Sequence, residues 1–213
     1  MVLSLTPDRA LIFRIVHRDN IPFLLDHGVH CRNSDRLDPH YINIGSADLI
    51  SKRHNRAVPI PPYGMLSDYV PFYFTPRSPM LLNIKTGYNG VQKRPNEEIV
   101  VLVASLRRLK ETGRRFVFTD RHAYLAAADF FDDLARLDRI DWAILQRSDF
   151  KRDSEDPGKF ERYQAEALIY RKLPVEMLLG LVSYDNPTDS RLKMLLAERG
   201  MTLRTEIRPQ WYF

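Results

Sequence analysis

An α+β fold is predicted, and two observations predict it. Short apolar runs of strand length mix irregularly with helices of unequal length, unlike the regular alternation of a doubly wound sheet. The most apolar run, "EEIVVLVAS" (97–105), is short and rich in valine, which suits a central strand buried on both faces. No repeat, low-complexity tract or linker divides the chain, so one domain over residues 1–213 is expected.

The elements follow in order. "LIFRIV" (11–16) reads as a strand, and "DNIPFLLDHG" (19–28) as a helix opened by Asn20, with Pro22 tolerated in the first turn and Gly28 as the stop. "GSADLISKRHNRAVPIPPYG" (45–64) begins with a Ser46 cap and runs through a basic cluster into a proline-rich loop. "YVPFYF" (69–74) is a strand; "SPMLLNIKTG" (78–87) is a helix capped by Ser78, with Pro79 in its first turn and Gly87 at its end. After the valine-rich strand come a helix ending at Gly113 and the strand "RFVFTD" (115–120). "YLAAADFFDDLARL" (124–137) shows apolar residues at helical spacing and is expected to be a helix. "QRSDFKRDSEDPGKF" (146–160) is polar and without period, so a long surface loop is expected, of the kind that often carries function. The strand "GLVSYD" (180–185), the helix "PTDSRLKMLLAERG" (187–200) and the strand "TLRTEI" (202–207) precede the terminal "RPQWYF" (208–213).

Lys plus Arg exceed Asp plus Glu by 32 to 27, a net of +5, which is compatible with a polyanionic partner without requiring one. The single cysteine, Cys31, rules out an internal disulfide and argues against a thiolate zinc site. Charge interrupts every apolar run of the first twenty residues and no long uncharged apolar stretch follows, so a soluble, unprocessed cytoplasmic protein with no membrane association is expected. G-x-G-x-x-G, P-loop and G-x-S-x-G motifs are absent. His27, His30 and His40 do not have zinc-ligand spacing, and no metal is expected.

What remains is one acid and two clusters. In "RYQAEALIYRKLP" (162–174), strand alternation puts Glu166 on one face with Leu168 and Tyr170, where it reads either as a solvated strand end or as a held carboxylate. Lys52, Arg53 and Arg56 form either an ordinary solvated face or a phosphate grip. In "DYVPFYFTPRSPML" (68–81), Tyr69, Phe72, Tyr73 and Phe74 beside Arg77 suit core packing or base stacking.

Taken in this order, "IFRIVHRDNI", "SKRHNRAVPIPPYGMLSDYVPFYFTPRSPML", "FVFTDRH", "QAEALIY" and "RPQWYF" resemble the DarT family, bacterial toxins that ADP-ribosylate bases of single-stranded DNA using NAD. The resemblance spans nearly the whole chain. It implies an ADP-ribosyltransferase-like fold, two small packed β-sheets with surrounding helices and an NAD cleft, and a catalytic glutamate just after a substrate-binding loop, the place of Glu166. It further implies that Arg53 is the second catalytic residue, with Arg56 as the alternative, that His17, Asn20, Arg53, Arg77 and His122 contact NAD, and that Arg121 lies near the cleft. Arg56, Tyr73, Arg147, Lys151 and Arg152 would bind the nucleic acid, with acids of the 146–160 loop lying among its cations. Arg14 departs from the family pattern, which has a histidine there. The implied acceptor is thymine N3; the implied partners are single-stranded DNA and a macrodomain antitoxin, with the chain itself a monomer. Acceptors other than DNA (RNA, protein, a small molecule) and a noncatalytic nucleic-acid-binding module are the alternatives.

Overall fold

The structure is a computed structural model that describes residues 4–213. In chain order it contains β1 (Leu11–His17), α1 (Ile21–His27), β2 (Val29–His30), α2 (Ala47–Arg53), β3 (Tyr69–Tyr73), α3 (Pro79–Thr86), β4 (Ile99–Ser105), α4 (Leu106–Glu111), β5 (Phe116–Thr119) and β6 (Phe130–Phe131). There follow α5 (Trp142–Arg147), α6 (Lys159–Arg162), β7 (Glu166–Tyr170), β8 (Lys172–Leu173), β9 (Gly180–Ser183), α7 (Asn186–Ala197) and β10 (Thr205–Ile207). Two sheets result. A large one has the order β10-β9-β4-β1-β3-β7-β5-β6, and a two-stranded one pairs β2 with β8.

The valine-rich run is a strand buried at all seven positions, as its composition predicts. It pairs with β1 over that strand's whole length, from Leu11 opposite Ser105 to His17 opposite Ile99. On its other side β1 meets β3 at a single register pair, Phe13 with Tyr73. Proline explains the contrast: Pro71 has no N–H to donate, and its carbonyl accepts from the Arg14 side chain at 2.9 Å instead of from a strand neighbour. The large sheet is therefore nearly divided between β1 and β3.

Three helix starts follow their caps, whereas Asn20, expected to open α1, makes no side-chain cap bond. Ser46 and Ser78 accept from the backbone of Leu49 and Leu81, and Asp185 caps α7 through Thr188. Gly28 is required where it stands: its φ is +81° and a Cβ there would meet Leu173 O of β8 at 2.8 Å. The terminal segment closes the core, with the Tyr212 hydroxyl donating toward Ile99 O and Val182 O and Trp211 edge-on to Phe13 at 5.4 Å.

One element differs from its sequence pattern. Residues 124–137, helical by spacing, instead form turns, the short strand β6 and a 3-10 segment. Aspartates take the backbone partners a helix needs: Asp120 accepts from Asp129 N–H at 3.0 Å and Asp133 from Ala135 N–H at 3.0 Å. Phe131 of β6 then packs 5.4 Å from Phe118. The expected loop is regular at both ends, in α5 and α6, and irregular between them.

Candidate active site

Glu166 is the first residue of β7, opposite Tyr73 in β3, and is only 2% exposed. A lone carboxylate so buried would hold its proton, because the interior disfavours charge. Here Oε2 accepts from Arg53 Nη1 at 2.9 Å and Oε1 from the Ala123 N–H at 3.1 Å. Burial pushes the Glu166 pKa up, but the Arg53 charge and these two hydrogen bonds outweigh it and hold the carboxyl below its ordinary value of 4.5. Thr119 fixes the backbone on either side: its hydroxyl oxygen accepts from Glu166 N–H at 3.2 Å and donates to Arg121 O at 2.6 Å.

The His122 ring completes the cluster, with Nδ1 3.3 Å from Glu166 Oε1. The Tyr124 N–H lies 3.2 Å from that same nitrogen. Burial pushes the His122 pKa below 6.5 despite the opposing pull of Glu166. The ring is neutral at neutral pH, and its contact with Glu166 is not an ion pair. Burial, with the nearby Glu166 charge, likewise raises the Tyr73 pKa and keeps its phenol protonated.

Two adjoining cavities open on these groups. One, of about 160 Å³, is lined by Glu166, Arg53, His122, Tyr73, Arg14 and Met80. The other, of about 230 Å³, continues along β3 past Arg14, Arg53, Tyr41 and Pro71 to Phe23 and Tyr69. Two guanidinium nitrogens, Arg53 Nη2 and Arg14 Nε, are buried without a hydrogen-bond partner. Arg14 and Arg53 line both cavities, and guanidinium groups at a cavity wall suit a polar, anionic dinucleotide such as NAD. Among the described residues no group of three or more His, Cys, Asp or Glu side chains is arranged to hold a metal ion.

The residues singled out in the sequence fall into three sets. Glu166, Arg53, His122 and Tyr73 converge on the smaller cavity. Arg53, not Arg56, reaches the glutamate; Arg56 Nη2 donates to Leu125 O at 2.9 Å and ties the 54–65 loop to the loop that carries Ala123.

A second set lines neither cavity. Asn20 is 1% exposed and bonds both backbone groups of Ile42, its Nδ2 to the carbonyl and its Oδ1 from the N–H, each at 2.9 Å. That double bond fixes the segment carrying Tyr41 and Asn43. His17, 3% exposed, lies 3.2 Å from Glu98 through Nε2 and accepts from Asp19 N–H through Nδ1. Arg77 stacks over the Phe213 ring at 4.4 Å, and Arg121 binds Asp120.

The third set lies on the loop. Arg147, Lys151 and Arg152 are exposed. Three of the four acids among them are taken up internally: Lys159 pairs with Asp149 and Asp153, and Arg162 with Asp156 and, outside the loop, with Asp141. Arg14, Tyr41, Asn43, Thr119 and Ala123 were not singled out as site residues. Only Arg14 had a signal, a charge inside an apolar strand.

A family model described as "ssDNA thymidine ADP-ribosyltransferase, DarT" matches residues 13–213. A DNA ADP-ribosyl transferase of Escherichia coli O127:H6 is 51% identical over 210 residues, covering 99% of this chain and 96% of that protein. The structure of Thermus sp. 2.9 DarT in complex with ADP-ribosylated ssDNA is similar with a TM-score of 0.90 at 33% identity, covering 100% of both chains. That of Thermus sp. 2.9 DarT in complex with NAD+ is similar with a TM-score of 0.83 at 34% identity, covering 97% of this chain and 99% of that one.

Proposed function

The chain belongs to the DarT family of NAD-dependent ADP-ribosyltransferases acting on single-stranded DNA thymidine, and from that premise we propose which of its residues carry the reaction. The observation that supports the assignment is a buried carboxylate kept ionised by Arg53 and a backbone N–H at the wall of a cavity.

Transfer breaks the bond between ribose C1′ and nicotinamide and forms one from C1′ to the base. Positive charge develops on the ribose, and Glu166, already desolvated and oriented, stabilises it more than it stabilises the intact dinucleotide. Arg53 keeps that carboxylate charged and stands beside the acceptor base; as thymine N3 bonds to C1′ its proton passes to Glu166, and nicotinamide leaves with the electron pair of the broken bond. Arg14 and Tyr41 hold the rest of NAD; His17 and Asn20 act from behind by fixing the wall. A base must leave its stack to enter the cavity, which costs least in a single strand. Lys151, Arg152 and Arg147 meet the strand's phosphates, three of the loop's four acids, Asp149, Asp153 and Asp156, being paired with Lys159 and Arg162.

Residues 1–213 act as one catalytic domain and a monomer, in the cytoplasm where DNA and NAD coexist, as a toxin countered by a macrodomain antitoxin of the kind its family implies. Among the described residues no helix is long and apolar enough to cross a membrane. The test is incubation with labelled NAD and separate pools of single-stranded DNA, duplex DNA, RNA and protein, using wild type and Glu166→Gln. Label is expected on single-stranded DNA thymidine and only with wild type; equal labelling by the variant would overturn the role of Glu166.

A further inference from the structure

Two basic pairs far apart in sequence, Arg114–Arg115 and Arg171–Lys172, meet at the end of the β5–β7 ladder remote from Glu166. Phe116 stands opposite Ile169, and one step further the Tyr170 N–H donates to Arg115 O at 3.0 Å. The Arg115 guanidinium lies 4.4 Å from the centre of the Tyr170 ring, and that of Arg171 lies 5.4 Å from it.

Both cations are held. Arg171 has a φ of +63°, a backbone conformation a long side chain rarely adopts, and the strain is fixed by bonds from its N–H to Asp68 O and from Cys31 N–H to its carbonyl. Its side chain pairs with Asp68 at 3.1 Å. Arg115 is exposed and, beyond the ring, has no side-chain hydrogen bond or ion pair with a described residue. Like charges gathered at one strand end repel one another, and one carboxylate does not balance them. An outside anion would.

The position says which anion. Tyr170 packs edge-on to Tyr69 at 5.3 Å, and Tyr69 lines the larger cavity together with Arg32 and Arg36. Glu166 and Tyr170 share one strand face, about 13 Å apart at about 3.3 Å per residue. That is a few nucleotides along a single strand.

We propose that Arg115 and Arg171, stacked on Tyr170, clamp the phosphates of single-stranded DNA a few nucleotides from the base being modified. The proposal rests on the functional reading above and adds a second contact region to the 146–160 loop.

The test uses fluorescent single-stranded oligonucleotides of about four and about twelve nucleotides, each with one central thymidine, titrated over a series of salt concentrations. Arg115→Gln is expected to weaken the longer oligonucleotide about fivefold and to lower its logarithmic salt slope by about 0.7 for each phosphate no longer neutralised, while leaving the shorter one unchanged. Arg115→Lys, which keeps the charge, should keep most of the slope. Equal losses on both lengths, or no loss on either, would overturn the clamp, as would competition by inorganic phosphate that is insensitive to oligonucleotide length. Wild-type binding with this length dependence but without base modification would support the clamp and overturn the reading of the reaction, so the two fail separately.

Discussion

Two regions of the molecule pair arginine or lysine with carboxylate, and they do different work. At Glu166 the pair is enclosed: the carboxylate is almost wholly buried, and charge, backbone N–H and a neutral imidazole surround it. In the 146–160 loop, a buried Lys159 and a half-buried Arg162 meet Asp149, Asp153 and Asp156, whose carboxylates are exposed to water. Water screens the loop pairs, so they shape the segment and add little stability. Enclosure makes the Glu166 pair strong and costly to break, because losing one partner strands the other's charge. The same chemistry serves as scaffold where water reaches it and as reactive machinery where water is excluded.

The contrast can be broken from its strong side first. Arg53→Ala leaves Glu166 buried and unpaired; a loss of about 3–5 kcal/mol is expected in denaturant unfolding, and Glu166→Leu added to it should recover much of that loss. Glu166→Gln keeps the shape and an oxygen for the Ala123 N–H, so a folded protein with transfer slowed roughly a hundredfold or more, about 3 kcal/mol, is expected in single-turnover assays.

Acid titration sharpens the contrast. The Glu166 pKa is lowered in the folded protein, so its contribution to stability is present above 4.5 and is lost as pH falls through the folded value. The His122 pKa is also lowered, so the neutral ring favours folding above 6.5, and that contribution fades as pH drops below it. Melting temperature should therefore fall on acidification, and His122→Gln should shrink the part of the loss that begins below 6.5, the remainder of that part belonging to His30, whose pKa burial also lowers. At the weak end, Asp156→Asn should leave melting temperature and NAD turnover in place, with a slightly tighter hold on single-stranded oligonucleotide as one acid leaves the loop. A melt lowered as far as that of Arg53→Ala would show that loop and core pairs do not differ as argued.

Much of this was legible in the sequence where a single local rule decides. Ser46, Ser78, Gly28 and Gly87 mark helix ends, and the valine run marks the centre of the sheet. The acid heading an apolar strand left Glu166 open between a solvated strand end and a held carboxylate, and only the family resemblance gave it a role. The 124–137 stretch was misleading because apolar spacing was weighed without the aspartates that compete for its backbone. Asn20 and His17 stood out, yet their side chains bind protein backbone and Glu98 rather than the cavity. Thr119 and Ala123 had no signal, since Ala123 acts through its backbone N–H and the Thr119 hydroxyl matters only once β5 lies beside β7.

The near-division of the large sheet bears on where a dinucleotide lies. Where Pro71 withholds its amide, β3 behaves toward β1 as an edge, and Arg14 spans the gap with a side chain in place of a rung. Both cavities include Arg14 and Pro71, so the pocket for a dinucleotide lies along the line where the sheet has its fewest rungs.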